Sequence, residues 1–330
     1  MASIGGGFAL LLLVVLSFSS SSVNVEANIF QLGQNGYGAA GKLRGGYYWN
    51  TCPLAEIIVK EVVSKAVAAN PGFAPGLGCD GSVLIDSTPN NVAEKEAPPN
   101  NPSLRGFEVI ASAKALLEQV CEGVVSCADI LAFAARDSIA LTRGLYYDVP
   151  GGRRDGRISR ASETISLPPP TSNLSHLTQS FAVKGLSQQE MVFLSGAHTI
   201  GRSHCSSFSN RLYNFNSTVS QDPSLDPVYA AQLKKECPRN SSASQTVFMD
   251  PRTPNVFDTN YYKDILVQRG LFTSDMALLS SPSTAALVRS NAKNWLLFQE
   301  NFVAAIIKMG KIGVLTGNQG EIRLNCSRIN

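Results

Sequence analysis

Histidine is scarce: three residues in 330, alongside two tryptophans and five methionines. Long apolar runs are lacking as well. The longest, residues 8–18, holds 11 residues, short of the roughly 20 that a bilayer-spanning helix needs. No membrane span is therefore expected. No Lys/Arg run is present either, and the formal charge is only +3. That leaves no electrostatic footprint for a nucleic-acid partner; the mild surplus reads as scattered surface charge, with polyanionic wall polymers as the sharper alternative. Alternating strand patterns are nearly absent, so a β-rich fold is not expected.

The N-terminal 27 residues combine the apolar run with a Ser-rich stretch and the small residues of Val25-Glu-Ala27, the composition of a signal peptide. Their removal would take away Glu26 and raise the formal charge to +4. Residues 28–43 are rich in Gly and Gln without periodicity, a flexible leader. Residues 44–330 are long enough for one large domain with a real core. The expected location is secreted and extracytoplasmic. Sequons at Asn173, Asn216, Asn240 and Asn325 agree with secretion and a glycoprotein. Seven cysteines in an oxidising compartment imply three disulfides and one odd thiol. Six cysteines can pair in roughly 15 ways, and spacing does not choose among them.

Helical periodicity dominates what is present. Leu54, Ile57, Ile58, Val62 and Ala66 recur at helical spacing up to Asn70-Pro71, after which two Pro and three Gly in residues 71–78 make a loop. Further helices are expected over 106–121, 126–143, 174–184, 188–198, 229–236, 260–269 and 290–309, with extended linkers at 150–155 and 167–170. The fold class is all-α.

One segment carries chemistry. Ser187-Gln-Gln-Glu190 has capping-box spacing, and Met191, Leu194 and His198 share the face of the helix it opens, with Gly201 as the stop. An imidazole on an apolar face is either a hydrogen-bonded core residue or a metal ligand. Ser274-Asp275 reads equally as a helix cap or as a partner for such a ring. Asp250, Thr253 and Asp258 lie in a Pro-constrained loop that is either an Asp-rich surface turn or an oxygen cage for a hard cation.

Taken together, Leu194-Ser-Gly-Ala-His198-Thr199-Ile-Gly201, Met249-Asp250-Pro-Arg-Thr253-Pro-Asn-Val256-Phe-Asp258, Gly270-Leu-Phe-Thr-Ser274-Asp275, Leu104-Arg-Gly-Phe107 and Val125-Ser-Cys127-Ala-Asp129 resemble the plant secretory (class III) haem peroxidases, over about residues 43–326. The resemblance implies a two-lobed helical fold with haem b between the lobes: a distal lobe over 44–166, a proximal lobe over 167–310 and a tail over 311–330. It implies His198 as axial iron ligand with Asp275 behind it, and a proximal calcium site from Thr199, Asp250, Thr253, Val256 and Asp258. It implies Pro168 as a contact for aromatic donors, an Asp129–Arg153 ion pair, and the disulfides Cys52–Cys121, Cys127–Cys326 and Cys205–Cys237. His176 and His204 are read as surface or structural. Hydrogen peroxide and small phenols become the expected substrates, turned over by a monomer. The resemblance also narrows the location to extracellular or cell wall, with the vacuole as the other compartment.

The family also carries a helix with the pattern Arg-x-His-Phe-His-Asp-Cys-Phe-Val. Here Leu77 runs straight into Gly78, so that, judged against the family, about 11 residues that include this pattern are absent. Gone with them are the distal Arg and His, the first distal calcium aspartate and the partner of Cys79, which becomes the odd thiol. Gly78, Asp80, Ser82 and Glu94 remain as an incomplete distal calcium shell, and Asn100 has no distal histidine to orient. Two readings follow: a secreted peroxidase impaired in this chain, or a non-catalytic secreted protein that binds haem or wall polymer.

Overall fold

The computed structural model describes residues 43–70 and 80–330. The signal peptide, nearly all of the leader, and Gly78 with Cys79 lie outside the described residues.

The N-terminal part of the core is built from three helices. α1 (Ala55–Ala69) buries Ala55, Val59, Val63 and Val67, one stripe at i, i+4 spacing. α2 (Phe107–Val120) turns Val109, Ile110, Ala113 and Leu117 inward. α3 (Cys127–Leu141) is buried almost all round, and its apolar residues face several neighbours at once. Ser126 caps it by accepting from the Asp129 amide at 3.1 Å, which frees the Asp129 carboxylate for other work.

α4 (Leu174–Ala182) and α5 (Gln188–Ser195) follow the extended linker. The Ser187/Glu190 capping box forms in both directions, at 3.1 and 2.7 Å. α5 is shorter than its periodicity suggests: the chain tightens into a 3₁₀ turn over Gly196–Thr199. Gly196 is needed there, since a Cβ would collide with the Phe298 ring and the Tyr262 hydroxyl. A two-stranded antiparallel ribbon pairs β1 (Arg202–His204) with β2 (Thr246–Phe248). Between them lie α6 (Ser209–Tyr213) and α7 (Pro227–Glu236).

α8 (Asn260–Leu266) and the five-residue α9 (Thr273–Ala277) lead to α10 (Pro282–Lys293) and α11 (Trp295–Met309). The single helix expected over 290–309 is thus two. Asn294 adopts an extended conformation, and its side chain accepts from the Leu297 amide at 3.1 Å, starting a new helix where the apolar stripe gives no hint of a break.

One large apolar cluster joins α1, α2 and α3 to α5, α8, α10 and α11. A smaller one surrounds Cys205 and Cys237 with Phe208, Leu212, Tyr229, Val247 and Met249. The disulfides are Cys52–Cys121, Cys127–Cys326 and Cys205–Cys237. The chain end is fastened a second way. Both oxygens of buried Asp155 accept amides at the α3 N-terminus, from Ala128 at 2.9 Å and Cys127 at 3.1 Å, while Arg323 donates its amide to the same carboxylate at 2.9 Å. Asp129 and Arg153 form a buried pair at 2.8 Å, completed by Tyr48 and the Gly152 amide on the carboxylate and by the Pro150 and Gly310 carbonyls on the guanidinium.

Two outcomes follow. Arg153→Ala strands the Asp129 charge in the core and should cost about 3–5 kcal/mol in chemical denaturation; Arg154→Ala, at a half-buried neighbour with no charged partner, should cost less. Alkylation of the unreduced chain should add one label, at Cys79. No label on a monomer would overturn the thiol assignment.

Candidate functional site

The 3₁₀ turn delivers His198 to the wall of a cavity. Its Nδ1 lies 2.8 Å from Asp275 Oδ1, and its side chain keeps 37% of its accessible surface. The ring is therefore not packed into the core, as a purely apolar face would have it. Tyr261 and Phe272 meet it edge-on, with ring centroids at 5.6 and 5.4 Å. Nε2 has no hydrogen-bond partner among the described residues. With Nδ1 engaged by a carboxylate, the tautomer that leaves a lone pair on Nε2 is favoured.

Asp275 does both jobs that the sequence left open. Its Oδ2 accepts from the Phe272 amide at 2.8 Å, capping α9, while Oδ1 accepts from Tyr261 Oη at 2.9 Å as well as facing the imidazole. Burial pushes such a carboxyl up, but His198, the Phe272 amide and the Tyr261 hydroxyl outweigh it and hold Asp275 below the usual range. Burial comes first among the causes that push the Tyr261 hydroxyl far above its ordinary value, and Asp275 adds to it. That phenol stays a donor at any physiological pH. The linker reaches this corner too, as the Ser274 amide donates to the Pro170 carbonyl at 2.9 Å.

The cavity in front of His198 measures about 320 Å³ and is lined by Phe272, Met249, Ile200, Arg202, Arg105 and Ser103 among others. His204 lines it too. Read from the sequence as surface or structural, it is 6% exposed, and its Nδ1 lies 2.8 Å from the Ala243 carbonyl oxygen. Its position six residues past His198 gave no helical signal because a turn and β1 intervene. His176 pairs with Ser172 at 3.0 Å and does not line the cavity. Pro168 does not line it either.

Directly after His198, buried Thr199 points into the loop that follows β2. Its Oγ1 lies 3.2 Å from Asp258 Oδ1 and 3.5 Å from the Val256 carbonyl oxygen. Thr253 Oγ1 lies 3.0 Å from Asp250 Oδ2 and 2.8 Å from Asp258 Oδ2. Each hydroxyl owns one proton but faces two acceptors. The Arg252, Thr253 and Asn260 amides and the Asn260 side-chain amide donate to the same oxygens, which holds together an oxygen set of the kind a hard cation takes. Among the described residues no three acidic, His or Cys side chains converge as a metal cluster; this set is two carboxylates, two hydroxyls and a carbonyl.

On the α1 to α3 side, Asp80, Ser82 and Glu94 also converge. The Ser82 amide donates to Asp80 Oδ1 at 3.1 Å, and the Ser82 hydroxyl to Glu94 Oε2 at 3.1 Å. Burial, with Asp80 and Glu163 adding, pushes the Glu94 carboxyl up to about 7, against the pull of Ser82. A carboxyl so displaced lacks compensating positive charge. Asn100, buried, spends its amide on the Glu94 carbonyl at 2.7 Å and so fastens this segment.

A family profile described as Peroxidase matches residues 48–294. Peroxidase 5 of Vitis vinifera is 57% identical over 329 aligned positions, covering 96% of each chain. Peroxidase 1 of Zea mays is 50% identical over 88% of this chain and 84% of its own, and Peroxidase 2 of the same plant 52% identical over 86% and 88%.

If the loop oxygens hold calcium, chelation should lower the melting temperature by about 4–5 °C, the effect of losing a ligand present at about a hundred times its dissociation constant. Asp258→Ala should melt low already and not respond to chelator. An equal response in both proteins would dismiss the site.

Proposed function

The chain belongs to the peroxidase family, among the plant secretory haem peroxidases, enzymes that use hydrogen peroxide, and from that membership we propose that His198 is the axial ligand of its haem. The observation that carries this reading is the His198–Asp275 pair, with Nε2 facing a cavity and Nδ1 held at 2.8 Å by a buried, ionised carboxylate. A ligand imidazole needs such a partner to fix its tautomer and raise its basicity. Arg202, Arg105, Ser103 and His204 offer donors and positive charge to the carboxylates of a porphyrin, while Phe272, Met249 and Ile200 offer apolar surface to its ring. Haem, when bound, supplies the redox centre between hydrogen peroxide and the reductant.

Around it, each residue has a stated task. Asp275 accepts the Nδ1 proton and draws the ring toward it. Tyr261 and the Phe272 amide keep that carboxylate ionised and aimed. Calcium bound by Thr199, Asp250, Thr253, Val256 and Asp258 would brace the turn that carries His198, since Thr199 is its neighbour. Small phenols are the donors we assign, in a secreted or wall-associated setting, with Pro168 as the contact proposed for them.

We further propose that turnover is impaired in this chain. The alignment to the Vitis protein runs over 329 positions but takes in 96% of 330 residues, about 317, so about 12 aligned positions have no residue here. By the family pattern about as many residues are missing between Leu77 and Gly78, and the proposal rests on that pattern. All three histidines are otherwise engaged: one on Asp275, one on Ser172, one on Ala243. Moving the peroxide proton and stabilising charge separation each contribute roughly 10² to 10⁴ in rate, non-additively.

Restoring an Arg-x-His-Phe-His-Asp-Cys segment between Leu77 and Gly78 should raise kcat/KM for peroxide by at least about 10³. No gain in a folded, haem-loaded protein would refute the impairment. His198→Ala should abolish the haem Soret band in either background.

A further inference from the structure

The largest cavity described so far is not the largest in the molecule. A second one, about 520 Å³, opens where the turn before α1 meets the extended segment after α3. Its walls carry three aromatic rings, Tyr48, Trp49 and Tyr146, with Ile57 beside them and two carboxylates, Glu56 and Asp148. No Lys, Arg or His lines it.

Two of the rings are exposed and yet braced. Trp49 is 74% exposed, but its ring lies against Gly46, whose left-handed φ of 63° and missing Cβ admit it; a Cβ there would collide with the indole. The turn is closed by the Trp49 amide donating to the Gly46 carbonyl at 3.1 Å. Tyr146, 55% exposed, is held from beneath by Arg136, whose guanidinium lies 4.6 Å from the ring centroid and donates to Tyr146 Oη at 2.8 Å. Arg136 is itself buried, and Asp137 and Glu56 neutralise it at 2.8 Å each. Asp148 is exposed and makes no hydrogen bond or ion pair among the described residues. Lys60, whose charge reaches Asp137, does not line the cavity. The balance of the wall is therefore negative, and much of its apolar surface is aromatic.

We propose that this cavity binds an organic ammonium group through the faces of Trp49 and Tyr146, with Asp148 as the counter-charge. Aromatic faces attract cations through the ring quadrupole, most strongly those too weakly hydrated to prefer water. A neutral sugar or phenol gains the stacking but nothing from Asp148, and an anion is repelled. The group can belong to a free amine or to a lysine side chain; both present the same charge to the same wall.

The test uses the full chain with Trp295→Phe, which leaves Trp49 as the one fluorescent indole. Choline should change that fluorescence saturably, and its neutral isostere 3,3-dimethylbutan-1-ol should bind about tenfold more weakly or not at all. Asp148→Asn, at an exposed position, should keep the melting temperature and weaken choline about three- to fivefold. Trp49→Ala should weaken it comparably by calorimetry. Putrescine and an acetylated lysine tripeptide distinguish the two sources, the tighter binder naming the natural one. Equal binding of choline and its isostere, stronger binding of a simple phenol, or no saturation by any ammonium probe overturns the proposal.

Discussion

The hydrogen bond between His198 and Asp275 depends on elements far apart in the chain, and most of the proximal half of the fold is arranged to hold it. His198 arrives at the end of a helix begun by a capping box, and the helix can lie close to α11 because Gly196 has no side chain. Asp275 arrives on a five-residue helix that has no stability of its own. That short helix is fixed by the Phe272 amide, by Tyr261 from α8 and by the Pro170 carbonyl from the linker. An ionised carboxylate with 1% exposure is costly to bury. Here the three donors on its two oxygens offset that cost, and they also fix its direction.

The surrounding structure makes sense as support for this pair. The loop oxygens beside Thr199 are of the kind a hard cation takes, and a cation there would stiffen the turn from the other side. The smaller apolar cluster, fastened by Cys205–Cys237, carries β1 and β2 and thus the Arg202 and His204 wall of the cavity. On the opposite side the charge balance is unmet: Glu94 is pushed toward neutrality, and Asn100 is turned to its backbone. On the reading proposed above, those residues border the segment missing between Leu77 and Gly78.

Much of this was legible in the residues. The capping box at Ser187, the cap at Ser126 and the stripe of α1 were readable because short-range hydrogen bonding and burial both repeat at fixed spacing. Asp275 was readable only as a choice between cap and partner, and the structure realises both. The break at Asn294 was hidden because the apolar pattern runs through it. His204 was hidden for the opposite reason: it sits on a three-residue strand with no periodicity to place it. The disulfides came from resemblance, since spacing cannot select a pairing, and the Trp49 cavity assembles from segments about a hundred residues apart with no shared motif.

The most direct measurement is the iron–imidazole stretching frequency of the reduced, haem-loaded protein, compared with that of Asp275→Asn. If His198 is the ligand and Asp275 draws its Nδ1 proton, the substitution weakens that pull and the frequency falls. An unchanged frequency, or a spectrum without an iron–imidazole band in the parent protein, would contradict the account.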